Sequence, residues 1–292
     1  MTGDPFVAHR SLLFTVAYEM LGSAADAEDV VQETWLRWAD LDTKVRAEIR
    51  HPRTYLVRIV TRQALNRLRT LARRREEYIG EWLPEPLLTS PDVAEDVELA
   101  ESVSFAMLTV LETLGHTERV VFVLREVFDT PYDEIAAAVG RTPAAVRQIA
   151  HRAREHVAAR RPRVRVSRAE QEAVVDRFLA AVRGGDLREL LEVLAPDVIV
   201  VSDSGGLAPA ARRPVESARR VAPLLAKLAE MGLDYQATPM WVNGAVAVRF
   251  DLDGRLFGVI NLVIVDGRIS RLYSVLNPHK LVHLDRRTHL TR

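Results

Sequence analysis

The hydrophobic periodicity of the chain changes near residue 165, and this change limits the folds that the sequence can form. Before that point apolar residues recur at helical spacing, as in "RSLLFTVAYEML" (10–21). After it, segments rich in Val and Ile and bounded by Gly, Asp and Asn predict strands, among them "DVIVVSD" (197–203) and "RLFGVINLVIVDG" (255–267). Helices followed by strands predict an all-α part and then a separate α+β domain.

The predicted α+β domain begins with two helices, over 169–183 and 186–193. A further helix over 214–231 is predicted among the strands, and "DLDG" and "VDGR" have the composition of hairpin turns. This order of elements favours an α+β cone or half-barrel.

Composition excludes several classes of site. The chain has 292 residues, of which 48% are apolar, so it can bury a sizeable core, and it has no cysteine. Disulfides, thiolate zinc sites and cysteine nucleophiles are therefore excluded. Because the N-terminus lacks a signal-peptide pattern and the longest apolar runs are too short for a bilayer, we expect a cytoplasmic protein with no membrane partner.

The net charge of zero hides blocks of opposite sign. Residues 17–42 contain seven acidic residues and one basic residue, whereas residues 43–75 contain eleven basic residues and one acidic residue. Acidic residues dominate again over 76–134, and arginines dominate over 135–165. Such alternation predicts surfaces for different partners.

The acidic block includes "ADAEDVVQETWLRW" (25–38), which predicts one helix. Its clustered carboxylates could bind a metal, take part in acid–base chemistry, dock a protein or face water. Asp29 and Glu33 are one helical turn apart, but no Glu-x-x-His motif accompanies them. We therefore expect no metal site and no cofactor.

The basic block includes "HPRTYLVRIVTRQALNRLRTLARRR" (51–75), a predicted helix with an apolar stripe and a basic opposite face. Soluble faces usually mix charges, so the one-sided sign favours contact with nucleic-acid phosphates over a solvated bundle face. Tyr55 near the helix start either stacks on an unpaired base or packs in the core; both interpretations stay open.

Three prolines and many acids in "IGEWLPEPLLTSPDVAEDVE" (79–98) argue against a continuous helix and predict an extended acidic linker. The chain is accordingly divided into four predicted parts, namely a helical domain over 1–78, the linker over 79–98, a second helical domain over 99–162, and the α+β domain over 166–292.

The most informative motif is "TPYDEIAAAVGRTPAAVRQIAHRARE" (130–155). Gly140 predicts a turn, Thr142 is a good N-cap, and Pro143 suits the first helical position. A short helix, this turn and a helix with small residues and a basic flank predict a DNA-binding helix-turn-helix; the alternative is an ordinary helical hairpin with a solvated basic face.

These motifs, in this order and spacing, resemble the two conserved regions of extracytoplasmic-function (ECF) sigma factors, over residues 6–75 and 99–160. The resemblance implies that the first helical domain binds core RNA polymerase and melts the −10 element. It implies that the second reads the −35 element as duplex, and that the linker passes through the polymerase channel in the path of nascent RNA.

The resemblance also assigns residues by position. The polymerase-binding side comprises Asp26, Glu28, Asp29, Gln32 and Glu33. The residues near the melted −10 strand are Arg53, Tyr55, Arg62, Asn66 and Arg69. The residues near the −35 duplex are Arg141, Thr142, Ala145, Arg147, Gln148, His151 and Arg152.

The C-terminal part resembles the SnoaL-like branch of the NTF2-like fold, as found in sigma factors of the SigJ/ECF41 type. "DSGGLAPAARRPV" (203–215) is similar to a Gly-rich loop of that subgroup, and "NPHKL" (277–281) to its "NPDKL" motif. Leu207 and His279 depart from the pattern where Lys and Asp are usual. The implied regulatory residues are Asp203, Gly205, Gly206, Asn277, Pro278 and Lys280.

Three functions remain to be compared. The favoured one is an alternative sigma factor without catalytic residues, whose C-terminal domain regulates it by contacting the sigma domains. The second is a one-component regulator that binds an operator as a dimer and senses a ligand. The third is an enzyme with a DNA-binding appendage; Asp203, Asp251 and Tyr235 would be its candidate pocket residues.

Overall fold

The computed structural model describes residues 4–94, 96–160, 166–230 and 235–292. The chain forms two compact units. The first unit comprises Met1–Glu77, Asp92–Arg161 and Thr288–Arg292, and the second comprises Tyr78–Pro91 and Pro162–Arg287.

The first unit starts with four helices, α1 (Pro5–Leu21), α2 (Ala24–Ala39), α3 (Thr43–Glu48) and α4 (Pro52–Glu76). Side-chain caps start three of them, because Asp4, Ser23 and Asp42 each accept a hydrogen bond from a first-turn amide of the helix that follows. Helices α1, α2 and α4 pack on one another. The predicted apolar stripe of α4 is confirmed, since Leu56, Val60, Ala64 and Leu68 are all buried.

The unit continues, after a 3₁₀ turn at Pro91–Ala94, with five further helices: α5 (Val97–Ser102), α6 (Phe105–Leu111), α7 (His116–Phe122), α8 (Tyr132–Val139) and α9 (Pro143–Arg160). A π-helical turn, Val123–Val127, extends α7. Helices α7 and α8 pack against α4 as well as against α9, so both predicted helical domains share this unit.

The second unit is α+β. Its helices are α10 (Arg168–Gly184), α11 (Leu187–Val193) and α12 (Ala218–Glu230), and its strands are β1 (Leu194–Asp203), β2 (Val215–Glu216), β3 (Tyr235–Val242), β4 (Ala245–Leu252), β5 (Arg255–Val265) and β6 (Arg268–Val275). The strand order is β2-β1-β6-β5-β4-β3. Only β1 and β6 pair in parallel among these strands; the other neighbours are antiparallel. Aliphatic residues of the helices and strands form its core.

The predicted hairpin turns are confirmed at Asp253-Gly254 and Asp266-Gly267, where both residues of each pair have positive φ. The helix predicted over 214–231 is wrong at its start, because Val215 and Glu216 form β2 and pair with Val200 and Ile199 of β1. Ser217, at φ 76°, then turns the chain into α12.

Residues 78–91, in the expected linker, fold with the second unit. Before Pro91, where the 3₁₀ turn begins, they form no helix, as their prolines predict, but Leu83 and Leu87 are almost completely buried. Leu88 forms an antiparallel bridge with Val242, and the Leu87 amide donates to Asn243 Oδ1 at 2.9 Å. The prediction of an extended acidic linker did not include the burial of these apolar residues, which attaches the segment to the sheet.

Candidate nucleic-acid and polymerase interfaces

The turn between α8 and α9 has the geometry that its sequence predicts. Gly140 ends α8 in the left-handed conformation at φ 67°, and the Arg141 amide donates to the Ala136 carbonyl at 3.1 Å. Thr142 caps α9, because its Oγ1 accepts a hydrogen bond from the Ala145 amide at 3.2 Å. Val146 and Ala150 are buried, so the turn presents the opposite face of α9 outward.

The predicted −35 residues lie on that outward face. Ala145 is half-buried, and the others are exposed, namely Arg141, Thr142, Arg147, Gln148, His151 and Arg152. Their contacts are weak ones with neighbouring side chains: Arg147 lies 5.7 Å from the Tyr132 ring centre, and Arg152 lies 3.5 Å from Glu118. Three guanidinium groups and an amide are therefore available to base edges or phosphates.

The predicted −10 residues all belong to α4, but Arg53 lies on the opposite side of the helix from Tyr55, Arg62, Asn66 and Arg69. Arg53, Arg62, Asn66 and Arg69 are exposed. Arg62 Nη2 donates to the Ala137 carbonyl of α8 at 2.9 Å, and Arg69 Nη1 donates weakly to Asn66 Oδ1 at 3.4 Å.

Tyr55 packs in part against the bundle, as one of its two interpretations predicts, and stacking on an unpaired base stays a prediction. It is half-buried, with its ring centre 6.1 Å from that of Trp38, and the Arg58 guanidinium lies 5.5 Å from its ring. The Tyr55 ring therefore packs against Trp38 and also lies close to the positive charge of Arg58.

Three carboxylates of the acidic helix α2 accept hydrogen bonds from α4, and two of them share one arginine. Arg67 of α4 donates to Asp26 at 2.6 Å and to Asp29 at 2.8 Å, and Gln63 Nε2 donates to Glu33 Oε2 at 2.7 Å. Arg67 and Gln63 were not among the predicted site residues. Their spacing of four residues on α4 was the available signal, but the partner helix could not be read from it.

A groove of about 360 Å³ lies between α1 and α2 on the outer side of the bundle. Glu28 and Gln32, both predicted to bind polymerase, line it together with Val7, Arg10 and Trp35. Arg10 pairs with Glu28 at 2.6 Å, whereas Val7 is 68% exposed and Trp35 is 37% exposed. An apolar floor with a charged rim is typical of a protein-docking surface.

The second unit holds a buried ionic site at Asp203, at the end of β1. Asp203 is completely buried, and its carboxylate accepts hydrogen bonds from the Tyr78 hydroxyl (2.5 Å), the Leu83 amide (2.8 Å) and Lys280 Nζ (2.7 Å). Burial and the bond to Asp203 raise the pKa of Tyr78. The site therefore attaches residues 78–83 to the C-terminal domain.

Lys280 completes this attachment. Its ammonium group also donates to the Leu83 carbonyl at 2.5 Å and lies 3.1 Å from the centre of the Trp82 ring. Asn277 Nδ2 donates to the Tyr78 hydroxyl at 2.7 Å, and Asn277 Oδ1 caps the 3₁₀ turn Pro278–Lys280 by accepting from His279.

The Gly-rich loop adjoins the same site. Gly205 has φ 56°, and a Cβ there would lie 2.6 Å from Asn277 Nδ2; at Gly206, φ is 77°. All six predicted regulatory residues thus lie at or beside the site that attaches residues 78–83. Leu207 and His279 stand where the subgroup usually has Lys and Asp. The ion pair is formed by Asp203 and Lys280, so it does not depend on those two positions.

The three candidate pocket residues have other partners. Asp203 is fully engaged as described, Arg249 holds Asp251 in a bidentate pair, and the Tyr235 hydroxyl donates to the Val182 carbonyl at 3.3 Å. Within the described ranges, no group of three or more His, Asp or Glu side chains is arranged for a metal ion. In the same part of the chain, no helix has the length and apolar character needed to cross a membrane.

Comparison with known proteins identifies the two helical regions. Residues 6–74 match the Sigma-70 region 2 family, and residues 104–157 match Sigma-70, region 4. The ECF RNA polymerase sigma factor SigJ of Mycobacterium tuberculosis is 38% identical over 96% of this chain and 93% of its own length. The chain belongs to the ECF RNA polymerase sigma factors.

One further relative and one solved structure also match along most of the chain. The probable ECF sigma factor SigI of Mycobacterium tuberculosis is 35% identical over 94% of this chain and 92% of its own length. The crystal structure of SigJ matches with a TM-score of 0.76 and 35% identity, covering 95% of this chain and 97% of that one. The predicted fold class, helical sigma domains followed by an α+β domain, is confirmed.

Proposed function

We propose that this sigma factor binds core RNA polymerase and directs it to promoters with −10 and −35 elements, and that its C-terminal domain regulates this activity. The observation that carries the proposal is the helix-turn-helix of α8 and α9, with an exposed basic face of small residues, arginines and Gln148. Membership of the family supports this function over an operator-binding regulator, for which α2 and α4 would have no role.

Three surfaces would bind the promoter and the polymerase. The α9 face would contact duplex DNA at the −35 element, and the α4 face around Arg62 and Asn66 would contact the melted −10 strand. The groove between α1 and α2 would bind polymerase, with Glu28 and Gln32 at its edge. On this assignment Asp26 and Asp29 serve mainly to hold Arg67.

The regulatory part of the proposal rests on residues 78–91. The family resemblance places this linker inside the polymerase channel, but here Asp203 and Lys280 hold it on the C-terminal domain. The linker cannot occupy both positions. The C-terminal domain would thus control activity by retaining or releasing the linker.

Selection of promoters from a library with randomised −35 and −10 segments, using core polymerase and run-off transcription, tests DNA recognition. We expect Arg147→Ala and Gln148→Ala to relax the preferred −35 sequence, with a loss of about 1–3 kcal/mol of discrimination at the contacted base. Arg160→Ala, on the same helix but about 20 Å away, is the matched control. Unchanged −35 preference in both variants would refute the assignment of α9.

Copurification with core polymerase tests the class of function. The sigma factor should form a complex with the core enzyme in the absence of DNA, and a chain ending at Arg165 should respond differently in run-off transcription because the regulatory domain is missing. A protein that binds DNA as a dimer and ignores core polymerase would instead be the one-component regulator.

A further inference from the structure

Three arginines meet at the side chain of Tyr132, the half-buried first residue of α8. The Arg125 guanidinium lies 4.9 Å from the centre of the tyrosine ring, and the Arg147 guanidinium lies 5.7 Å from it. Arg154 is hydrogen-bonded to the Tyr132 side chain, which raises the pKa of Arg154. Arginines from the π-helical turn and from α9 therefore converge on one residue of α8, so the cluster joins the three elements of the helix-turn-helix region.

Two of these arginines are fixed by other groups as well. Arg125, in the π-helical turn, pairs with Asp129 at 2.9 Å and donates to the Thr130 carbonyl at 3.2 Å. Arg154 pairs with Glu126 at 3.0 Å. Because both arginines are anchored to neighbouring groups and also contact the tyrosine, they hold the aromatic ring in a defined place at the start of α8.

Arg147 is held differently from the other two. It is exposed on the outward face of α9, and within the residues that the structure describes it forms no ion pair; its contact there is with the Tyr132 ring. A free arginine side chain populates many rotamers, and ordering it on binding costs conformational entropy. A guanidinium within about 6 Å of an aromatic ring is attracted by the ring quadrupole, so the ring restricts the positions that Arg147 adopts.

The spacing along α9 explains how one tyrosine serves two arginines. Arg147 and Arg154 are seven residues, or about two helical turns, apart, so they lie on the same face of α9. The ring of Tyr132 contacts the first of them, while the second is anchored by Glu126. The tyrosine thus connects an arginine that is available to DNA with one that is fixed to the protein.

We propose that Tyr132 is a positioning residue for recognition of the −35 element, because its ring holds the Arg147 guanidinium in place on the outward face of α9 before DNA binds. Tyr132 acts through Arg147 and not by touching a base. This inference rests on the proposed function and names a residue that determines specificity at the same DNA surface.

Two substitutions of the tyrosine test its ring. Promoters are selected by the full-length chain with core polymerase from a library randomised in the −35 segment, and the base read by Arg147 is the one whose preference changes in Arg147→Ala. Tyr132→Leu should lower discrimination at that base by about two- to fivefold, the size of one exposed cation–π contact, and leave the other −35 bases unchanged. Tyr132→Phe keeps the ring and should retain most of the parental discrimination. Equal losses at every −35 base in Tyr132→Leu would overturn the proposal.

A double-mutant cycle distinguishes positioning from general support of the fold. In an Arg147→Ala background, Tyr132→Leu should have no further effect at that base, because the side chain that the ring holds is absent. Arg152→Ala is the matched background, since Arg152 is an exposed arginine of the same helix whose contact is with Glu118 at 3.5 Å; there Tyr132→Leu should keep its full effect. An equal effect of Tyr132→Leu with and without Arg147 would also refute the positioning role.

A second variant without the ring guards against loss of folding. Tyr132→Met introduces an unbranched side chain that adapts to the space of the ring, and it should give the same pattern as Tyr132→Leu. Thermal unfolding followed by circular dichroism checks that each variant is folded at the temperature of the selection. Parental discrimination in a folded variant without the ring would contradict the proposal.

The outcomes separate the two proposals. If Arg147→Ala leaves the −35 preference unchanged, the proposed assignment of α9 fails, and the role of Tyr132 fails with it. If Arg147→Ala relaxes the preference but neither Tyr132→Leu nor Tyr132→Met does so, recognition by α9 stands and the positioning role of Tyr132 is wrong.

Discussion

Glu19 and Asp203 are both completely buried carboxyl groups, but their surroundings differ. Asp203 accepts three hydrogen bonds, one of them from the Lys280 ammonium group. Glu19 accepts one, from Ser102, and its Oε2 has no hydrogen-bond partner among the described residues. Burial raises the pKa of Glu19 to about 8, opposed by Ser102 and Arg119.

The comparison shows that the donors around a carboxyl group, and not its depth, decide what burial costs. Asp203 is part of an ion pair that joins residues 78–83 to the C-terminal domain, and its charge is compensated locally. Glu19 joins the two sigma modules in a form that favours the neutral acid below pH 8. The attachment at Asp203 depends on an ionised carboxylate, whereas the attachment at Glu19 depends on a neutral carboxyl group.

The largest effect is expected from breaking the charged attachment. Lys280→Met leaves the Asp203 carboxylate buried without its cation and should reduce the free energy of unfolding of the second unit by about 3–5 kcal/mol. Denaturant unfolding, with hydrogen exchange of residues 78–91, measures this loss. Lys227→Met, which removes an exposed lysine of α12, should be nearly neutral. Equal effects of the two variants would contradict a structural role for the buried pair.

A smaller effect, dependent on pH, is expected at the neutral attachment. The pKa of Glu19 is about 8 in the folded protein, compared with an ordinary 4.5. Between these values the unfolded chain has released a proton that the folded protein retains, so the stability of the first unit should fall as pH rises, by up to about 1.4 kcal/mol per unit.

Glu19→Gln should flatten this dependence, because an amide cannot ionise. Unfolding curves at several pH values between 5 and 8 should show the parent losing of the order of 3 kcal/mol and the variant much less. Glu48→Gln, at an exposed position, serves as the control and should keep the parental slope. An unchanged slope in Glu19→Gln would show that another group titrates.

The smallest effect concerns the loop beside the charged attachment. Gly205→Ala requires an alanine at φ 56° and brings its Cβ against Asn277, whereas Gly254→Ala requires a similar φ of 70° with nothing within 4 Å. Backbone strain should lower the free energy of unfolding by about 1 kcal/mol in both variants. In Gly205→Ala, displacement of Asn277 should lower it by about 1 kcal/mol more, as measured by thermal unfolding. Equal costs would mean that the loop is free to move.

Sequence patterns predicted the elements of both units well where the signal is local. The α8–α9 turn follows from Gly140, Thr142 and Pro143, each of which acts on its own backbone or on a neighbouring amide. The start of α12 was missed because Val215 and Glu216 are compatible with a helix in isolation; pairing with β1 decides otherwise. Residues 78–91 were predicted to be extended but not to be buried.

The candidate sites show the same division. The regulatory residues were assigned from the family resemblance, and the structure brings Asn277 and Lys280 together with Asp203 at residues 78–83. Arg67, which pairs with both Asp26 and Asp29, was overlooked because its partners lie 41 and 38 residues away along the chain. Glu19 was overlooked because a lone carboxylate in an apolar helix has no local signature.

By itself, the sequence determined the helices, hairpin turns, charge blocks and helix-turn-helix of this sigma factor, because these depend on contacts within about one turn or on the sign of nearby charges. Only the tertiary structure decided that α8 covers α4, that the linker is held by Asp203 and Lys280, and that the last five residues return to α1 and α5. Those contacts join residues up to 276 positions apart, and they form only when folding brings distant donors and acceptors together, which no local pattern records.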